Sequence, residues 1–121
     1  MIDNPPELPP YQCEQIVFRA QLYKEWVKNG KVKKQAFYRL NKDEHGISVS
    51  STEESCGEGL TDPIHGKLTL HIGRIRTLGL DVIPDTPTHG NIQDIPTREE
   101  NDALARTLAE DLADMARPLA E

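Results

Sequence analysis

From Thr97 to Pro118 the chain carries the signals of one amphipathic helix, and that helix limits what the rest can be. Thr97 and Glu100 form a capping box, in which the threonine oxygen accepts an orphan backbone amide and the glutamate reaches back. Acidic residues fill the first turn, where they suit the helix dipole. Leu104, Leu108, Leu112 and Met115 make one apolar stripe, and alanines at 103, 105, 109, 113 and 116 keep its profile slim. The reading is a helix from about Arg98 to Arg117, stopped by Pro118. A helix with one apolar face must bury it against another element. The segments upstream are short and broken by Gly, Pro, Asn and Asp, so that element is a small sheet.

Upstream, Met1 to Pro10 has four prolines and reads as an extended arm. Tyr11 to Gly30 reads as a helix, because Ile16, Ala20, Tyr23 and Val27 recur at helical spacing and Asn29-Gly30 is a left-handed stop. Gln15 to Arg19 competes as a short strand, since Ile16, Val17 and Phe18 favour extended chain. Lys31 to Lys34 is a charged connector. Gln35 to Leu40 and Gly46 to Ser51 read as strands of a hairpin joined by NKDEHG, and residues 51–66 as a loop. Lys67 to Ile75 is a half-buried strand with Leu68, Leu70, Ile72 and Ile75 inward. Leu78 to Pro84 is another, with Leu80 and Val82 inward. Pro84 to Gly90 is a loop and Gly90 to Ile95 a short last strand. The expected fold is therefore α+β: a small antiparallel or mixed sheet of four to five strands, with an N-terminal helix and a C-terminal amphipathic helix packed on it. One domain spans residues 11–117, between the arm at 1–10 and a tail at 118–121.

Leu, Ile, Val and Phe make up 28 of the 121 residues, enough for one modest core. That size argues against a large pocketed enzyme, a barrel or a long repeat array. No apolar run approaches the ~20 residues of a membrane span, and MIDNPPELPP lacks the basic and apolar regions of a signal peptide. The expectation is a cytoplasmic protein, with Cys13 and Cys56 as free thiols. The net charge of −6 is unevenly spread. Residues 19–42 hold eight Lys/Arg against Glu25 alone, whereas residues 43–66 hold six acids and no Lys or Arg.

The basic block also holds most of the aromatic residues. The leading reading is a small non-catalytic interaction protein that binds a macromolecular partner through Lys24, Lys28, Lys31, Lys33 and Lys34, with Trp26 and Tyr38, and a catalytic reading is the alternative. A protein partner is the first expectation. Nucleic acid is the second, because lysines neutralise phosphates and an exposed ring stacks on a base, although the overall acidity opposes nonspecific binding. The competing reading makes the aromatics core and the lysines a solvated face. The C-terminal helix either covers the sheet or forms a homodimer contact. No contact with a membrane is expected.

A catalytic reading rests on Arg39, Ser48, His71 and His89. An arginine fork suits a phosphate, and a serine with a histidine suits phosphoryl or nucleotide chemistry. Here the protein is a small enzyme or ligand-binding domain for a phosphate-bearing or nucleotide substrate, acting through Arg39, Ser48 and His89. The bland alternative pairs Arg39 with an acidic residue and leaves Ser48 on an edge strand. No zinc-ligand spacing and none of the common nucleotide, hydrolase or zincin motifs occurs, so no metal and no cofactor is expected. The TPTHGNI segment reads as a rigid turn, with His89 as a candidate binding residue.

A Trp-centred segment ending in NGKVKKQAFYR, then GISVS, then GLDVIPDTPTHGNI before a terminal helix, resembles a group of short bacterial proteins, notably cyanobacterial. That group has an AF-x-R…LSV…HAxI pattern and no established activity. The resemblance covers residues 14–117, with Gly90 where the group usually has alanine. It implies a bacterial cytoplasmic setting and marks Arg39, Ser48 and His89 for testing. A strand arginine before a serine-rich strand also resembles ADP-ribosyltransferase domains. That family spaces the two elements further apart and adds a late glutamate motif that this chain does not present.

Overall fold

Ile16, Val17 and Phe18 settle the first element, because two β-branched residues and an aromatic in a row fit a pleated strand better than a helix. In the computed structural model, which describes residues 8–39, 46–57 and 63–119, they open β1 (Ile16–Gln21). A 3-10 turn (Lys24–Trp26), β2 (Val27–Lys28), β3 (Lys31–Val32) and a second 3-10 turn (Lys34–Phe37) follow. Then come β4 (Ile47–Ser50), β5 (Gly66–His71), α1 (Ile72–Thr77), β6 (Asp81–Thr86), β7 (His89–Gln93), α2 (Asp102–Met115) and β8 (Arg117–Pro118).

The fold is α+β, as expected, with two corrections. The sheet has six strands in the order β6-β7-β4-β1-β5-β8, all neighbours antiparallel, and β2 and β3 form a second, two-stranded sheet. The N-terminal helix does not form. Its apparent stop, Asn29-Gly30, is the centre of the β2–β3 hairpin, with φ of 54° and 75°. Positive φ at both central residues defines a type I′ turn, whose twist matches that of paired strands.

Three further expectations shift. The described part of the expected Gln35 to Leu40 strand, residues 35–39, does not form one: Ala36 and Phe37 sit in the second 3-10 turn, fully buried against α2, and β4 pairs with β1 and β7. The NKDEHG connection lies almost wholly outside the described residues. The Lys67–Ile75 strand ends at His71, where the Ile72 amide bonds the Gln15 carbonyl and α1 begins. Ile72 and Ile75 remain buried because residues three apart share a helix face as well. Finally, β6 runs through Pro84, which an edge strand tolerates because its missing amide faces outward.

One sheet face holds the core. Val17, Leu68, Leu70, Ile47, Val49, Ile92 and Val82 lie on it and are buried beneath Phe37 and the α2 stripe of Ala105, Leu108, Ala109, Leu112 and Ala113. Leu104 falls outside that stripe and is exposed. The Thr97–Glu100 box forms in both directions, Thr97 N to Glu100 Oε1 at 2.9 Å and Glu100 N to Thr97 Oγ1 at 3.1 Å. It closes the turn before the helix, whose own N-cap is Asn101, accepting from the Leu104 amide. The opposite sheet face carries Ile16, Phe18, Ser48, Ser50, Thr69, His71, His89 and Asn91. Among the described residues no helix is long and apolar enough to cross a membrane.

Candidate functional site: a cleft between β1 and β4

The β1–β4 ladder holds at a single pair, Phe18 opposite Ser50. Beyond it the strands part, and a cleft of about 580 Å³ opens between Phe18–Leu22 and Gly46–Ser50. Arg19 braces the gap. Its Nε donates to the Ala36 carbonyl at 2.6 Å and its Nη1 to the Ser48 carbonyl at 2.9 Å. The guanidinium lies 5.2 Å from the Trp26 ring centroid and 5.8 Å from that of Phe37. Side-chain donors thus take over where strand pairing stops, which keeps the cleft open without leaving the Ser48 carbonyl unbonded.

The polar end of the cleft is built by the β6–β7 hairpin. Asp85 and His89 flank the Pro87-Thr88 turn, and His89 Nδ1 stands 2.6 Å from Asp85 Oδ1. Asn91, two residues further along β7 on the same face, donates Nδ2 to Asp85 Oδ2 at 3.1 Å. Burial pushes the Asp85 carboxyl up, but the hydrogen bond and charge of His89, with the Asn91 hydrogen bond, outweigh it and hold the group below the usual carboxylate range. An ionised carboxylate only accepts, so the Asp85 contact places a proton on Nδ1 and, in the neutral imidazole, leaves Nε2 as the nitrogen with the lone pair. The turn is tied down from β4: the Ser51 amide and the Ser55 hydroxyl donate to the Thr88 carbonyl, and the Ser51 hydroxyl to the Pro87 carbonyl.

Ser48 and His89 both line this cleft, and the register places Ser48 opposite Asn91 and Ser50 opposite His89 on one face. The Ser48 hydroxyl has no hydrogen-bond partner among the described residues, whereas Ser50 Oγ donates to the Ser55 carbonyl. The other two candidates lie elsewhere. Arg39 is not in the cleft wall; its Nη2 binds Glu100 Oε1 at 2.6 Å, and its backbone bridges to Thr97. His71 is exposed at the far end of β5, opposite Ile16. Sequence reading missed Arg19, Asp85 and Asn91. The Asp85-x-x-x-His89-x-Asn91 spacing is the signal that a two-residue turn at Pro87-Thr88 would have exposed.

The Lys/aromatic surface separates into parts. Trp26 is buried, with Arg19 on its ring and Tyr23 tilted against it at 5.5 Å. Tyr38 is half-buried under the Arg98 guanidinium. Lys34 pairs with Glu110 of α2 at 3.3 Å. Lys24, Lys28, Lys31 and Lys33 are exposed and make no ion pair with any described residue. Cys13 and Cys56 are free, the first exposed and the second buried. Among the described residues no three His, Cys, Asp or Glu side chains gather as a metal site requires.

Set against known proteins, the chain matches no protein family, no curated protein and no solved structure.

Proposed function

We propose that the chain is a small enzyme or ligand-binding domain that takes a ring-bearing, uncharged small molecule into the β1–β4 cleft, with His89 as its general base. The observation that carries this reading is the 2.6 Å contact between His89 Nδ1 and an Asp85 carboxylate held from its other side by Asn91. Such a pairing fixes the tautomer and orients the ring, so that Nε2 is the basic atom offered to the cleft. Phe18 and Ala20, on the sheet face that carries His89, give an apolar floor, exposed Leu22 and Tyr23 line the cleft beside it, and Ser48, opposite Asn91, adds a hydroxyl. With Arg39 held by Glu100, the phosphate clamp expected from the sequence has lost its residue, and the reading passes to a neutral ligand. The resemblance to short cyanobacterial proteins brings no activity with it, so the cleft alone supports the proposal.

The test is a saturation-transfer NMR screen of nucleosides and aromatic alcohols, followed by spectra of the His89 ring carbons. At least one class should bind saturably and shift the His89 signals, and Ala20→Trp should fill the floor and abolish the effect. A His89 signal indifferent to every compound overturns the reading.

A further inference from the structure

We propose that the β2–β3 hairpin is a docking site for an acidic, extended protein segment, independently of the cleft. The type I′ turn sets Lys28 directly opposite Lys31, while the next pair, Val27 and Val32, points its side chains to the other face. Val32 is buried and Val27 half-buried against the core, so the lysine pair faces outward. A hydrogen bond of 2.7 Å from the Lys33 amide to the Trp26 carbonyl extends the ladder by one step and brings Lys33 to the Lys31 side.

Like charges directly opposite one another weaken a strand pair. Neither lysine makes an ion pair with a described residue, whereas Lys34 and Lys67 each stand near a carboxylate. The hairpin therefore keeps an electrostatic cost in the free chain that a ligand's carboxylates remove. The geometry also limits the ligand. Lys28 and Lys31 stand about 5.5 Å apart across the ladder, and Lys31 and Lys33 about 6–7 Å apart along the strand. Carboxylates on alternate residues of an extended peptide repeat at about 6–7 Å, which matches Lys31 and Lys33.

A nucleic acid fits less well. Single strands need rings to stack on, and of the aromatics near these lysines only Tyr23 is exposed, because Trp26 is buried and Tyr38 is covered by Arg98. A net charge of −6 also repels a long polyanion, whereas a short acidic segment responds to the local cluster.

The experiment uses fluorescence anisotropy with a labelled ten-residue peptide of alternating Glu and Ser, with a ten-nucleotide oligothymidylate as competitor class. Expected is saturable peptide binding that high salt suppresses and that Lys31→Glu and Lys33→Glu each weaken about tenfold. Lys31→Glu should melt no lower than the wild type, because it replaces repulsion from Lys28 with attraction, so its loss of binding cannot be loss of fold. Absence of saturable binding, peptide binding unchanged in both variants, or tighter binding of the oligonucleotide overturns the proposal.

Discussion

His89 and Asp85 meet across the β6–β7 turn at 2.6 Å, and Asn91 fixes the far oxygen of the same carboxylate. Both partners of Asp85 come from the strand after the turn, so the arrangement exists only in the folded hairpin. Burial raises the Asp85 carboxyl, and the two partners more than reverse that, leaving its folded pKa below the ordinary value. A carboxyl depressed by folding stabilises the fold above its unfolded pKa, about 3.9, and that contribution is lost as pH falls through the folded value. Both side chains are partly exposed, so the effect is small at high salt. In melts at low ionic strength, wild type should exceed Asp85→Asn at neutral pH, and the gap should close below about pH 4. Curves that stay parallel through that range contradict the assignment.

Tyr11 lies against Gly90 on the core side of β7. A Cβ at position 90 would come within 2.6 Å of the Tyr11 hydroxyl oxygen and 3.0 Å of the Ile83 carbonyl. Gly90→Ala should therefore cost about 1–3 kcal/mol in urea unfolding, as overpacking does. The Tyr11 hydroxyl is buried with no hydrogen-bond partner among the described residues, and burial, with the nearby Asp85 charge, pushes its pKa up. Removing an unsatisfied buried hydroxyl relieves a penalty of about 1–3 kcal/mol, so Tyr11→Phe should stabilise the chain by about 1 kcal/mol. A destabilised Tyr11→Phe would mean that the hydroxyl is satisfied in solution.

The parts of the fold written in one segment were legible. Leu108 and Leu112 of the α2 stripe, the inward Leu68, Leu70 and Val82, and the Thr97–Glu100 box all rest on local periodicity or a three-residue spacing, whereas Leu104, read into the same stripe, is exposed. The parts that depend on pairing between distant segments were not. Ile16, Ala20, Tyr23 and Val27 fit a helical repeat by coincidence, whereas Asn29-Gly30 between Val27-Lys28 and Lys31-Val32 is a strong hairpin signal whose strands are only two residues each. Pro87 does sit in a turn, but Pro84 reads as a loop former as well, because edge position is a property of the whole sheet. Ser48 and His89, singled out by residue type, line the same cleft. Asp85 and Arg19 escaped because their roles come from a turn and from a splayed ladder, neither of which is visible until the strands are ordered.

Arg39 was expected in the same site as His89, and the two now separate by mechanism. Arg39 ties the end of the second 3-10 turn region to the capping box through Glu100, and its Nε is buried with no hydrogen-bond partner among the described residues. Arg39→Ala should lower stability by about 1–2 kcal/mol, by analogy with hydrogen bonds to charged groups, and leave the affinity of a cleft ligand unchanged. His89→Ala should lose turnover or ligand-induced shifts, while its stability falls only by the small contribution of the Asp85 pair. Isothermal titration paired with thermal melts distinguishes them. If Arg39→Ala weakens ligand binding at a temperature where the variant is fully folded, Arg39 belongs to the site.

Gly30 isolates the backbone contribution of the β2–β3 turn. Its φ is +75°, and a Cβ there would meet nothing within 4 Å, so no side-chain clash confuses the result. Alanine at a left-handed position costs about 1–2 kcal/mol through its own Cβ. Asparagine bears less of that cost because its short amide bonds locally. Gly30→Ala should therefore destabilise by roughly that amount and Gly30→Asn by clearly less. Both should leave the cleft untouched, because the hairpin meets it only through Trp26. Paired strands also protect amides, so hydrogen exchange at the Lys33 amide, bonded to the Trp26 carbonyl, should quicken in Gly30→Ala. Equal stability of the two variants would show that the turn is not type I′ in solution, and the facing of Lys28 and Lys31 would fall with it.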